Sequence, residues 1–239
     1  MEPSTRPAGV RAKESFQYKY AHVFMDEQSA DIVFQVGGQQ ETATNKRAKT
    51  SPTNFHAHRL VLQQCAPQLL QMRVGAHDEV PINDIKPEIF RHLLHYIYGG
   101  TMEENDLKGN AKDIIDAADM TGVVSLKMEA EACYVQLTTI TVDNMADELV
   151  YANFKNLALL KEAVMDFAAK SSGEVREKLS RDDVPREVLA DLMEAVTSGA
   201  YGSLRVSELR KRLEERGLDI DGSKQVMINT LRVNSSQEL

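Results

Sequence analysis

Histidine and cysteine are the residues of this chain whose types and spacing come nearest to a chemical site. His56 and His58 alternate along a β-like run, and His92 and His95 lie three residues apart in a helix-like run. A zinc site would need cysteine or carboxylate partners at fitting spacing, and neither pair has them nearby. We therefore expect the histidines to be structural, with His58 hydrogen-bonded to a buried carboxylate or carbonyl, for which Asp31 is a candidate.

The two cysteines, Cys65 and Cys133, stand on apolar helix-like runs, where burial is the usual outcome. A nucleophilic cysteine needs a base and an orienting group that the sequence does not supply. The chain also has no G-x-S-x-G, no glycine loop ending in Lys-Ser/Thr, and no G-x-G-x-x-G. We expect no catalytic residue, no cofactor and no metal, and therefore no enzyme.

Strand-like and helix-like runs alternate in the amino-terminal half of the chain. Ile32, Phe34 and Val36 alternate with polar residues, a period that predicts a half-buried strand. A polar stretch over 37–54 predicts an expanded exposed loop, and Pro67 starts a new helical turn. The predicted order is a strand over 32–36, a strand from Phe55, helical runs over 59–72, a strand over 80–82, and helices over 87–98 and 110–120.

Helical patterns alone fill the rest of the chain after Val123. Runs over 142–170 and 184–197 each carry an apolar stripe at helical spacing. The segment SGAYGS, residues 198–203, predicts a linker because small and flexible residues dominate it. Residues 1–24 are mostly polar and without periodicity, and they predict a flexible tail.

Two segments, FHAHRLVLQQCAPQLLQM and VPINDIKPEIFRHLLHYIYGG, carry a resemblance to the BTB (POZ) domain. Asp31 fits the first strand motif of that family, and His58-Arg59-Leu60-Val61-Leu62 fits its "a-H-r-x-v-L" run. Residues 80–99 fit its "v-x-i-x-d-i-x-P-e-x-F-x-x-l-L-x-y-i-Y-t-G" run. The resemblance covers residues 25–135 and implies an α/β BTB fold. The helices over 136–198 resemble the BACK-type extension of speckle-type POZ proteins.

The BTB resemblance implies a homodimer that recruits protein partners, with cullin-3 as an expected one. Cullin-binding members carry a hydrophobic–any–Glu motif after the second helix. The equivalent here is Met72-Arg73-Val74, which lacks the glutamate. The expected partner-binding residues are these three together with Tyr98.

The carboxyl end, LRVSELRKRLEERGLDIDGSKQVMINTLR, is similar to a SAP motif, a two-helix nucleic-acid-binding unit over 203–233. Leu209 and Leu213 lie one turn apart, and Gly217 permits the left-handed residue that ends the first helix. The "G-L-x-x-x-G-x-K" spacing runs from Gly217 to Lys224 and is more specific than helical periodicity. The alternative is a charged helix pair with a structural role only.

The resemblance to the SAP motif implies a phosphate site at the start of the second helix. Free N–H groups near Gly222 and Ser223 can receive a phosphate, and Arg210, Arg212 and Lys224 can add charge contacts. Such contacts hold DNA or RNA without reading much sequence. Residues 204–232 carry seven Lys or Arg and five Asp or Glu, a net charge of +2. With so small a charge we expect weak, salt-sensitive binding.

Composition places the chain among ordinary globular proteins of a reducing compartment. Hydrophobic residues make up 42% and charged residues 27%, and two cysteines cannot form a multi-bridge scaffold. No apolar signal-like segment is expected at the amino terminus, and no membrane span. We expect a nuclear or cytoplasmic location, with the nucleus favoured, and Lys46-Arg47-Ala48-Lys49 is either an import signal or solvated charge.

The two resemblances, together with the absence of catalytic motifs, imply a dimeric protein-interaction adaptor. The first hypothesis is a substrate-recruiting subunit of a cullin-3-type ubiquitin ligase with a nucleic-acid-binding tail. The alternative is a chromatin- or RNA-associated dimeric scaffold without a ligase role, and a third reading is a protein-only assembly module.

Overall fold

The computed structural model describes residues 20–37, 51–72, 79–181, 185–198 and 204–235. The chain divides into two compact units, Met1–Ala130 and Glu131–Leu239. Most of the 37–54 loop, the basic run over 46–49 and the predicted linker lie outside the described residues. No helix within the described ranges is both long and apolar enough to span a membrane.

A three-stranded sheet with the order β2-β1-β3 forms one layer of the first unit. Its strands are β1 (Ile32–Val36), β2 (Thr53–Ala57) and β3 (Glu79–Ile82). The predicted alternation is confirmed, since Ile32, Phe34 and Val36 are buried while the residues between them are half-buried. β1 pairs antiparallel with β2, and Phe34 lies opposite Phe55. β1 also pairs parallel with β3.

The helices of the first unit bury their apolar faces in the same core as the sheet. Phe90 has its ring centroid 5.2 Å from that of Phe34 and 5.2 Å from that of Phe55. Pro67 begins a separate short helix, as predicted, because its missing N–H is harmless in a first turn. The helices are α1 (Arg59–Cys65), α2 (Pro67–Gln71), α3 (Pro87–Ile97) and α4 (Glu104–Thr121).

Residues 20–24 are structured, although the sequence assigned them to the tail. Ala21–Val23 forms a single 3-10 turn. The ring of Phe24 then packs edge-on against His95 and Tyr98, at centroid distances of 5.3 and 5.7 Å. This one aromatic side chain anchors a segment that otherwise has little hydrophobic periodicity.

The second unit is helical throughout the part that the structure describes. The division between the units falls inside α5, after Ala130. The prediction of an all-α carboxyl-terminal half is therefore confirmed for the described residues. The helices are α5 (Val124–Leu137), α6 (Met145–Lys155), α7 (Ala158–Lys170), α8 (Ser172–Arg181), α9 (Arg186–Ser198), α10 (Val206–Glu215) and α11 (Lys224–Ser235).

Candidate functional site

Helices α10 and α11 form the predicted two-helix motif, and it packs onto the start of α7. Gly217 ends α10 in the left-handed conformation (φ 66°), as its spacing predicted. The amide of Leu218 then returns a hydrogen bond to the Leu213 carbonyl at 2.9 Å. Buried apolar residues of the motif and of α7 share one cluster, composed of Ala158, Val206, Leu209, Leu213 and Met227. The motif is thus an integral part of the second unit's core.

Glu162 of α7 binds the motif at the amino end of α10. Its carboxylate accepts hydrogen bonds from the Val206 amide at 3.1 Å and from Lys224 Nζ at 3.0 Å. Glu162 and Lys224 side chains are each only 7% exposed, so the ion pair is buried. A carboxylate here satisfies one of the free amides at a helix start and interacts favourably with the helix dipole. We call this arrangement the Glu162 contact.

Glu131 makes a second contact of the same kind, which we call the Glu131 contact. Its Oε1 accepts from the Leu159 and Leu160 amides, at 2.7 and 3.1 Å, at the start of α7. Its Oε2 accepts from Arg210 Nη2 at 2.7 Å. Glu131 is 1% exposed and Arg210 15%. One carboxylate therefore joins α5, the beginning of α7, and α10.

The start of α11 differs from the expectation of free amides. The Gly222 amide donates to Asp221 Oδ1 at 2.9 Å, so a carboxylate already stands beside it. The Ser223 hydroxyl accepts from the Val226 amide at 3.4 Å and caps the helix. In the described part of the motif, the Asp221 carboxylate and the Ser223 hydroxyl thus occupy the place where a phosphate was expected to accept hydrogen bonds.

The predicted cations fall into two classes. Arg210 and Lys224 point into the second unit and hold Glu131 and Glu162. Arg212 is about half exposed and pairs with Glu208 one turn before it, at 2.8 Å. Of the five predicted nucleic-acid residues, Arg212 is therefore the one whose charge stands at the surface.

Of the four predicted partner-binding residues of the first unit, the structure describes Met72 and Tyr98. Met72 is half-buried at the end of α2, while Arg73 and Val74 lie outside the described residues. Tyr98 is buried, and its hydroxyl accepts from the His58 amide at 2.7 Å. Burial raises the pKa of Tyr98 to about 12. Its place in the interior corrects the expectation that Tyr98 faces a partner.

His58 has a structural role, but it is not hydrogen-bonded to Asp31, the predicted candidate. Nδ1 lies 2.8 Å from the Tyr98 hydroxyl, and Nε2 lies 2.9 Å from Ser29 Oγ. Asp31 instead accepts from the Arg59 amide at 2.7 Å. No group of three His, Cys, Asp or Glu side chains suited to a metal occurs in the described part of the chain.

Sequence reasoning missed Glu131 and Glu162, the two residues that fix the motif. A signal existed for Glu162, because it follows Ala158 by four residues and precedes Met165 by three, on the buried stripe of α7. An acid on an apolar stripe needs a cation or free amides beside it.

Comparison with known proteins finds two family models in the chain. The BTB/POZ domain matches residues 22–138 and the SAP domain matches residues 200–232. "TD and POZ domain-containing protein 1-like" and "TD and POZ domain-containing protein 1" of Mus musculus are each 27% identical over 128 residues, 52% of this chain and 34% of theirs. "BTB/POZ and MATH domain-containing protein 4" of Arabidopsis thaliana is 27% identical over 164 residues, 61% of this chain and 32% of its own. The matches thus span about a third of each relative's length.

Proposed function

The chain is a BTB/POZ-domain protein with a SAP domain toward its carboxyl end, and from this premise we propose that it is a dimeric adaptor that links protein partners. Both domains are typically non-catalytic interaction domains. The names of the relatives likewise pair a POZ domain with a second domain, TD or MATH. A chain with two interaction domains can hold two partners at once. This pairing of domains is the observation that carries the proposal.

Exposed apolar side chains on the second unit support a protein-binding role. Val150 and Phe154 lie one turn apart on α6, and Phe154 is 78% exposed. Leu189 and Met193 lie one turn apart on α9, which packs against α6. Large exposed apolar side chains that occur together, and not singly, are typical of surfaces that meet other proteins.

Homodimerisation through the BTB domain follows from the same proposal. An isologous dimer presents every other site twice, so weak contacts made by the second unit would gain avidity. Light scattering coupled to size exclusion should give twice the 26.7 kDa mass of one chain. A single-chain mass at micromolar concentration would remove the dimer from the account.

Recruitment of a cullin-3-type ligase is the finer form of the proposal. Titration calorimetry of the full chain with a cullin-3 amino-terminal domain should show binding with a dissociation constant of about 1 μM or tighter, as a specific interface would give. The variant Val74→Glu restores the family's missing glutamate and should bind more tightly than the natural chain. Absence of binding by both proteins would leave the adaptor without a ligase role.

A chromatin- or RNA-associated scaffold in the nucleus is the second candidate, favoured by the SAP domain and by Arg73-Val74 in the recruiting segment. Arg212 is the cleanest residue with which to test it, because its side chain is exposed and its pair with Glu208 contributes little stability. Arg212→Ala should weaken binding to a short DNA duplex and leave the dimer unchanged. Lys224→Ala is less informative, because it would also leave Glu162 buried without its cation.

A further inference from the structure

The Glu162 and Glu131 contacts have the chemistry of a phosphate site in which a carboxylate takes the place of the phosphate. Each joins an anion to at least one backbone amide at a helix start and to a cationic side chain that is largely buried, and Glu162 also lies 3.9 Å from the exposed Arg205 guanidinium. Helix starts and charge-assisted hydrogen bonds bind phosphate by the same forces. Two cations that a polyanion would use are therefore already engaged by anions of the chain itself.

Burial separates these two cations from any external phosphate. Lys224 is 7% exposed and Arg210 is 15% exposed. A phosphate can reach either group only if α10 and α11 move away from Glu162 and Glu131. Docking of the motif and phosphate binding through these two cations are therefore mutually exclusive.

The cations left at the surface of the motif are balanced by acids. Within residues 204–235 the exposed cations are Arg205, Lys211, Arg212, Arg216 and Arg232, of which Arg205 pairs with Asp166 of α7 and Arg212 pairs with Glu208. The motif's exposed or half-buried carboxylates are those of Glu208, Glu214, Glu215, Asp219 and Asp221. Because these surface charges balance, the docked form should release few counterions from a nucleic acid and should attract it weakly.

We propose that Glu162 and Glu131 are internal anions that mask the SAP domain's nucleic-acid site, so that the docked form is autoinhibited. The inference rests on the proposed nucleic-acid role. A DNA or RNA backbone competes with the two carboxylates for Lys224 and Arg210, and binding favours the undocked state. By linkage, any change that weakens the carboxylate contacts raises the affinity for nucleic acid.

The test compares two single-charge variants of the full chain. Glu162→Gln removes the internal anion and keeps the shape of the side chain. Glu215→Gln changes the net charge equally on an exposed site of α10 and is the matched control. Binding to a fluorescent DNA duplex is measured by anisotropy across a salt series, with an RNA duplex as a second arm.

Glu162→Gln should bind about ten-fold more tightly than Glu215→Gln across the salt series, because undocking costs less free energy once the internal anion is gone. Equal affinity of the two variants would overturn the masking while leaving nucleic-acid binding itself intact. No binding by any form at low salt would remove both the masking and the nucleic-acid role. The adaptor role is then judged by the light-scattering and cullin experiments alone.

Hydrogen exchange of the natural chain is a second test, and its result does not depend on whether a substituted chain folds. The Val206 amide of α10 is hydrogen-bonded to Glu162 across the docked contact, and it should exchange several-fold faster when DNA is present at saturation, because undocking removes its acceptor. Unchanged or slower exchange of the Val206 amide under saturation would contradict the proposal.

Discussion

Replacing Glu131 with alanine should lower the free energy of unfolding of the second unit by about 3–5 kcal/mol, the usual cost of removing one partner of a buried ion pair. The carboxylate is 1% exposed and accepts three hydrogen bonds, from Arg210 and from the Leu159 and Leu160 amides. Alanine leaves the cation and both amides without that acceptor in a place that water reaches poorly.

The measurement is native-state hydrogen exchange of the full chain at the Val164 and Ala168 amides, both of which belong to buried residues of α7. Glu215→Ala is the matched control, since Glu215 is exposed near the end of α10, and it should change stability by less than about 0.5 kcal/mol. If Glu131→Ala behaves like Glu215→Ala, the Glu131 contact does not stabilise the unit.

Phe90→Ala should destabilise the first unit by about 3–5 kcal/mol, because it removes a fully buried ring and leaves a cavity. Phe90 packs against Phe34 on β1 and Phe55 on β2, with both centroid distances at 5.2 Å. The ring therefore joins α3 to two of the three strands. Loss of the BTB fold would also abolish the proposed dimer.

Urea unfolding followed by amide exchange at Phe34 and Ile114 measures this change. Leu60→Ala is the control, because Leu60 is 58% exposed on α1, and its removal should cost less than about 0.5 kcal/mol. Equal effects of the two substitutions would mean that the aromatic cluster is not the centre of the unit's stability.

The elements of the first unit could be predicted because each depends on local pattern. Ile32, Phe34 and Val36 alternate in sequence and are buried in the structure. Pro67 starts its helix because the proline ring fixes φ at a helical value and removes an N–H that has no partner in a first turn. The ring of Phe24 could not be placed in the same way, because its contacts with His95 and Tyr98 join residues about seventy positions apart.

The roles of Arg210 and Lys224 could not be read from sequence because their partners are set by tertiary packing. Lys224 meets Glu162 across 62 positions, and Arg210 meets Glu131 across 79. In the sequence both appear as cations of a polar two-helix motif, where solvent or a phosphate is the expected neighbour. Gly217, by contrast, shows its left-handed role through spacing alone, because that role is local.

Docking of the SAP domain into the second unit is tested most directly by amide exchange of the natural chain at increasing, sub-denaturing urea. If α10 packs into the core of that unit, the Leu209 and Leu213 amides of the chain without nucleic acid should be strongly protected and should exchange only through an opening that has a measurable urea dependence, because docking buries both side chains. Exchange of Leu209 and Leu213 at rates close to those of an unfolded peptide, while Val164 and Ala168 stay protected, would show an independent tail and contradict the account.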